Sequence, residues 1–249
     1  MVELPNIVTL LAERLKGTAL ADFLHTWEDP IFSVIVIGII VLIAFLASRK
    51  ISSLPGRMQN ICELYVGVID DFVCGVIGPK GRQYVPFIGT LFIYILFMNL
   101  FGLIPLMKSP TSSWSTTLAL ALCVFVYVQY CSFKELGFKG YMDHLAGNPR
   151  GVMAYFFFVP VTIFVIHIVE ELVRPLSLSL RLRSNIWGDD ALLAVVAAFG
   201  VSGVPLLIFS TLLTIIASVV QALVFSLLTT IYFALVLVHP DEEHLTVKS

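Results

Sequence analysis

The sequence predicts an all-α integral membrane protein with about five transmembrane helices and one amphipathic helix on the membrane surface. Three observations predict it. Of 249 residues, 58% are hydrophobic and only 13% are charged, against about 45–50% and about 25% in soluble domains. So few charges cannot coat a water-facing surface. Apolar runs of about 20 residues, long enough to cross the hydrocarbon core, recur along the chain. Basic residues gather in alternate connecting loops, as the positive-inside rule requires. The net charge of −2 leaves no basic patch for nucleic acid, so no such partner is expected.

Taken in order, residues 1–30 mix acids with Arg14 and Lys16 and lack the pattern of a cleavable signal. The first span is expected over 31–47, closed by Ser48-Arg49-Lys50. Residues 57–78 read as the surface helix, with Glu63, Asp70 and Asp71 set against Ile61, Leu64, Tyr65, Val68 and Ile69. The second span covers 85–107, with Asn99 as its strongly polar member, the third 117–133 and the fourth 152–169. No charged residue occurs from 191 to 238, a run too long for one span. Gly200-Val-Ser-Gly203-Val-Pro205 is the natural place for it to turn. The chain thus reads as a single membrane domain, 1–249. It has an extracytoplasmic segment over 1–30, a channel region over 31–238 and a tail over 239–249.

Orientation follows from the loops. Arg49, Lys50, Arg57, Lys80 and Arg82 lie between the first two spans, and Lys134, Lys139 and Arg150 between the third and fourth. Loop 107–116 carries only Lys108, and the turn at Gly200 carries no basic residue. The basic loops therefore face the cytoplasm, the N-terminus lies outside and the C-terminal tail inside. Cys62, Cys74, Cys123 and Cys131 show no CxxC spacing and are expected as buried, reduced thiols.

The remaining charges concentrate between His167 and Asp190. At 3.6 residues per turn, Arg174, Ser177, Arg181 and Asn185 share one helical face. Glu170 and Glu171 precede Arg174 at pairing distance. Arg181 has no acid three or four residues away on either side. A guanidinium cannot shed its charge in a protein, so Arg181 needs a partner from elsewhere. The plainer reading is an interfacial helix whose arginines snorkel to water. Against it, leucines at 176, 178, 180 and 182 cover the other faces, and long uncharged sequence follows at once. His167 and Glu170 lack the further ligands of a zinc motif, so no metal or cofactor is expected.

These residues also carry a resemblance. The stretch Arg174-Pro-Leu-Ser-Leu-Ser-Leu-Arg181-Leu-Arg-Ser-Asn185 resembles the signature of the subunit a family of F-type ATP synthases, the stator half of their ion channel. Gln221-Ala-Leu-Val-Phe-Ser-Leu-Leu-Thr-Thr-Ile-Tyr232, with Asp241-Glu-Glu-His244, is similar to that family's last helix and tail. Asp29-Pro-Ile-Phe-Ser and Met98-Asn99-Leu-Phe-Gly-Leu-Ile-Pro105 agree in the same order. The resemblance implies a non-catalytic membrane subunit of the rotary complex, with its last two helices long, tilted and packed against a ring of c subunits. The b-subunit peripheral stalk, the rest of the synthase and the lipid bilayer are the other implied partners, in the inner membrane of a bacterium.

The roles the resemblance implies are these. Arg181 separates two aqueous half-channels and meets the ring carboxylates. Asn185 lies one turn beyond it, and Gln221 faces it from the last helix. Asp190, with Asp189 beside it, lies toward the outer half-channel. His167, Glu170 and Glu171 lie toward the inner one, though His167 reads equally well as a hydrogen-bonded core histidine. Tyr232 fits either the path or an interfacial aromatic belt. Three positions depart from the family pattern. Arg183-Ser184 replaces an aromatic residue and glycine, Pro110-Thr-Ser-Ser-Trp-Ser-Thr lacks the usual loop acid, and Thr214 stands where histidine or glutamate is common. A sodium-coupled version is the alternative function. A secondary transporter is a more distant one, without the inverted repeats it needs, and a membrane hydrolase lacks its nucleophile and base.

Overall fold

A computed structural model describes residues 7–14, 27–49, 56–104, 107–145, 166, 169, 173, 176–177, 179–184, 186–188, 191–192, 194–196 and 198–237. Its regular elements are helical: α1 (Ile7–Arg14), α2 (Glu28–Ser48), α3 (Arg57–Ile77), α4 (Val85–Phe101), α5 (Trp114–Leu145) and α6 (Val204–Leu237). The described residues between 166 and 198 are also helical and are called the arginine segment below. Four helices among the described residues are long and apolar enough to cross a membrane, over Glu28–Ala47, Pro79–Phe101, Trp114–Glu135 and Val204–Leu235. Most of the expected fourth span and the whole tail lie outside the described residues.

Helix ends follow local chemistry. The second span ends at Phe101, six residues before its expected limit at 107, because Gly102 and Pro105 break the periodic run. Bonds from Leu103 N–H to the Leu100 carbonyl (3.0 Å) and from Ile104 N–H to the Phe101 carbonyl (3.2 Å) turn the chain there. Helix α5 runs beyond the expected third span and bends at Gly137, where φ is 67°. The long uncharged run reverses in a 3-10 turn over Gly200–Gly203, as the sequence suggests.

Helices α4 and α6 make the most extensive packing contact, with α3 and α5 flanking them. At one end of the bundle Tyr84 stacks on Phe233, ring centroids 4.4 Å apart, and Phe87 lies 4.3 Å from Tyr127. This aromatic cluster joins the start of α4 to the C-terminal part of α6 and the middle of α5. Aromatic pairs of this kind add about 0.5–1.5 kcal/mol beyond the area they bury. At the other end, Val8 of α1 docks among Phe32, Val36, Met98 and Phe101, a second core that clasps the start of α2 to the end of α4. Outside these cores, α2 exposes Val34, Ile35, Val41, Leu42 and Leu46. That is the surface expected of a helix facing lipid rather than water.

Helix α3 docks on the bundle with only part of the expected apolar arc. The docked face is Tyr65, Ile69, Val73 and Ile77, whereas Ile61, Leu64 and Val68 are 62%, 68% and 58% exposed. A helix lying in the membrane interface has two apolar environments to satisfy, the bundle and the acyl chains, so its apolar arc is wider than its packing face. Asp70 is held below the usual carboxylate range by the hydrogen bond and charge of Arg82, whose Nη2 lies 2.9 Å from Oδ2. Tyr65 Oη donates to the Gly89 carbonyl at 2.6 Å, and burial pushes its phenol up to about 12, so it remains a donor at neutral pH. Tyr65→Phe should therefore cost about 1 kcal/mol, read as a lower thermal unfolding temperature of the solubilised chain. An unchanged temperature would mean that this bond does not anchor α3.

The four cysteines are free thiols. Only Cys131 is buried; Cys62 and Cys74 are half-buried and Cys123 is exposed. The expectation of buried thiols thus holds for one of them, since a small apolar thiol on a lipid-facing helix needs no core to leave water.

Candidate functional site: the arginine segment and the last helix

The arginine segment turns one face into the core and another outward. Ser179, Leu182, Ile186 and Val196 are buried, while Leu176, Leu180, Trp187, Leu192 and Val195 are exposed. Arg181 lies on the exposed side and makes no ion pair or hydrogen bond among the described residues. Its neighbour Leu182 is fully buried in the same core as Ala222, the neighbour of Gln221. That core also includes residues of α3, α4 and α5, so it ties the arginine segment into the helical bundle. A permanent cation exposed on a leucine-rich helix has high energy in lipid and is stabilised there by an anion.

Helix α6 offers the segment a stripe of small polar residues. Ser210, Thr214, Ser218 and Gln221 recur every three or four residues, Thr229 follows eight residues later, and all five are buried. Their hydroxyls mostly bond back one turn, Thr214 to the Ser210 carbonyl (3.1 Å), Ser218 to Thr214 (2.8 Å) and Thr229 to Phe225 (2.9 Å). Such back-bonding satisfies the hydroxyls without a partner helix and keeps the stripe narrow. Gln221 differs, because its Nε2 is buried with no hydrogen-bond partner among the described residues. A buried amide left unpaired costs about 1–3 kcal/mol, so Gln221 retains hydrogen-bonding capacity that the hydroxyls back-bonded along α6 have used. Tyr232 is half-buried and packs against the main core.

Two polar clusters that the sequence did not assemble lie near the start of α2 and the end of α4. Lys108 Nζ lies 3.2 Å from Glu28 Oε1 and 3.3 Å from Asp29 Oδ1, so the single basic residue of its loop is an anchor to α2. Thr111 Oγ1 donates to Asn99 Oδ1 at 3.0 Å, and Ser109 Oγ donates to the Met98 carbonyl at 2.9 Å. Asn99 is thereby a buried brace for the loop. Arg183 has its own partner, since its guanidinium carbon sits 5.0 Å from the centre of the Trp114 ring. No group of metal-ligating side chains occurs among the described residues.

Of the residues singled out in the sequence, Arg181, Arg183, Gln221 and Tyr232 are described. His167, Glu170, Glu171, Arg174, Asn185, Asp189 and Asp190 lie outside the described residues. Trp114 was missed. Its only advance signal is an aromatic residue in a loop otherwise made of Ser, Thr and Pro.

Comparison with known proteins identifies the family. The chain matches the family model for the ATP synthase A chain over residues 30–234. It is 41% identical to ATP synthase subunit a of Protochlamydia amoebophila (strain UWE25) over 242 residues, 94% of this chain and 89% of that protein. It is 36% identical to ATP synthase subunit a of Moorella thermoacetica over 221 residues, 86% of this chain and 94% of that one. The subunit a of Aliarcobacter butzleri (strain RM4018) is 41% identical over 212 residues, 85% of this chain and 89% of that one. With a family match over residues 30–234, relatives up to 41% identical across most of its length and four helices among the described residues apolar enough to cross a membrane, this chain belongs to the ATP synthase A chain family.

Proposed function

We propose that this chain is the stator half of a proton path in the membrane sector of an F-type ATP synthase, with Arg181 as the charge that divides the path. The observation that carries the reading is Arg181 itself, exposed and without an ion pair among the described residues on a leucine-rich helix. A ring of c subunits, each with one carboxylate in the membrane, is the partner that satisfies it.

The physics gives Arg181 two effects. A unit-charge pair about 4 Å apart is worth about 4 kcal/mol at an effective dielectric constant of about 20. That lowers the pKa of an arriving ring carboxylate by about three units, so the carboxylate gives up its proton as it passes. The same fixed charge repels a cation that would run directly between the half-channels. Each charge moved across is worth about 2.3 kcal/mol per 100 mV, and rotation of the ring delivers this work to the headpiece. Gln221 supplies an amide at the level of Arg181. Asn185 extends the polar face, and Asp189 and Asp190 serve the outer half-channel. His167, Glu170, Glu171 and Arg174 line the inner one, and Tyr232 stands at its margin. The chain forms no covalent intermediate. Proton coupling is the favoured form, and the sodium-coupled version is not.

The same reading makes the chain one membrane domain in a bacterial inner membrane, with the N-terminus outside and the C-terminus in the cytoplasm. It touches the c-ring through the arginine segment and α6, and the b-subunit stalk elsewhere. Supporting that orientation, Lys80, Arg82 and Lys134 sit toward the end of the bundle where Tyr84 meets Phe233. Purification of the tagged chain from mild detergent tests the reading. A ring of small hairpin-like subunits should accompany it, and reconstituted vesicles should take up protons on addition of ATP. A chain that moves ions alone would overturn it.

A further inference from the structure

We propose that Arg183 and Trp114 form a cation–π clasp that fixes the rotation of the arginine segment, making Arg183 a positioning residue for Arg181. The inference rests on the reading of Arg181 as the divider of the ion path.

Two residues of helix separate Arg181 from Arg183, a rotation of about 200°. The two guanidiniums therefore leave the helix in nearly opposite directions. One is exposed with no ion pair among the described residues; the other sits 5.0 Å from the Trp114 ring centre. Between them Leu182 is fully buried in the core. Turning the segment to move Arg181 would lift Leu182 from the core and draw Arg183 off the ring. The clasp and the leucine thus oppose the same motion from different sides.

The ring is itself held in place. Trp114 opens α5, and the Thr117 hydroxyl donates back along that first turn to the carbonyls of Ser113 (3.1 Å) and Trp114 (3.2 Å). The preceding loop is tied to α4 by the Thr111–Asn99 and Ser109–Met98 bonds. Arg183 therefore grips a base fixed to α4 and α5. The nature of the partner also matters. A carboxylate at this place would hold the guanidinium, but it would also bind and release protons beside the ion path. An indole ring attracts the cation through its quadrupole and does not titrate. The clasp anchors the segment and leaves the proton traffic alone.

A cation–π contact shifts an equilibrium by roughly twofold when exposed and by about thirtyfold when desolvated. The test uses the purified whole complex in vesicles, measuring protons moved per ATP hydrolysed and ATP hydrolysis separately. Trp114→Leu and Arg183→Leu should each lower protons moved per ATP by about threefold or more, with hydrolysis and the yield of complex retained. The double variant should be no worse than the weaker single, because the two residues act as one unit. Trp114→Phe should keep most of the coupling, since it keeps an aromatic face. Unchanged coupling, losses that multiply in the double variant, or a matching fall in assembled complex would each overturn the clasp. Arg181→Ala, run alongside, separates the two ideas. Normal pumping there would sink the ion-path reading, whatever the other variants do.

Discussion

Replacing Arg181 by alanine should abolish ATP-driven proton uptake while the complex still assembles. The two outcomes separate because the side chain is exposed and has no ion pair among the described residues. A guanidinium at membrane depth costs about 2.5–3.5 kcal/mol on insertion scales, so the alanine variant loses no stability and can gain some. On the proposed reading, what disappears is the roughly 4 kcal/mol of attraction that drives each ring carboxylate to release its proton. Without it the carboxylates pass in the protonated form, and the barrier between the half-channels is gone. ATP hydrolysis should continue or slow while net pumping falls to background, and vesicles should leak protons through the membrane sector. Arg181→Lys should recover little. An ammonium lacks the forked donors of arginine, and it sheds its proton when desolvated. Acidification of vesicles, followed beside the content of assembled complex, decides the matter. Near-normal acidification in the alanine variant would remove Arg181 from the central role.

The sequence shows some of this and hides the rest for physical reasons. The spans are legible because crossing a bilayer demands a fixed length of apolar residues, and that demand is local. The reversal at Gly200–Gly203 is legible for the same reason, since glycine and proline act on the backbone where they stand. Arg181 stands out through the absence of a nearby acid, a pattern visible within two helical turns. Contacts between distant segments are different. Nothing near Arg183 announces Trp114, and nothing near Lys108 announces Glu28 and Asp29, because those pairs exist only once α2, the end of α4, the start of α5 and the arginine segment are brought together. The docked arc of α3 was hidden by a different cause. An interfacial helix is apolar on more than one side, so periodicity reveals the helix and leaves the side that meets the bundle open. Asn99 shows both halves of the lesson. It is conspicuous as the polar residue of an apolar span, yet only its bond from Thr111 shows that it braces a loop.

Gly203→Ala should disrupt the pair of last helices far more than its single added methyl suggests. A Cβ at this position would stand 2.6 Å from the Val196 carbonyl oxygen and 3.2 Å from Phe199 Cβ. The first neighbour is backbone and cannot rotate away. That same carbonyl accepts the Phe199 N–H at 3.1 Å, a bond that helps close the turn. Relief of the clash therefore breaks the turn or re-aims α6, and overpacking of this kind costs about 1–3 kcal/mol. The functional loss should exceed that figure because of leverage. Gln221 lies 18 residues along the chain from Gly203, or about 27 Å at the helical rise. A tilt of about 5° at the turn thus moves the glutamine by about 2 Å, enough to separate it from Arg181 if the two act at one level as proposed. Gly200→Ala is the comparison. Its φ of 58° is left-handed, with nothing within 4 Å of an added Cβ, so the cost is the backbone penalty alone, about 1–2 kcal/mol. Proton uptake by the reconstituted complex should accordingly fall steeply for Gly203→Ala and mildly for Gly200→Ala. The opposite ranking would mean that backbone conformation at Gly200, rather than close approach at Gly203, holds the two helices in register.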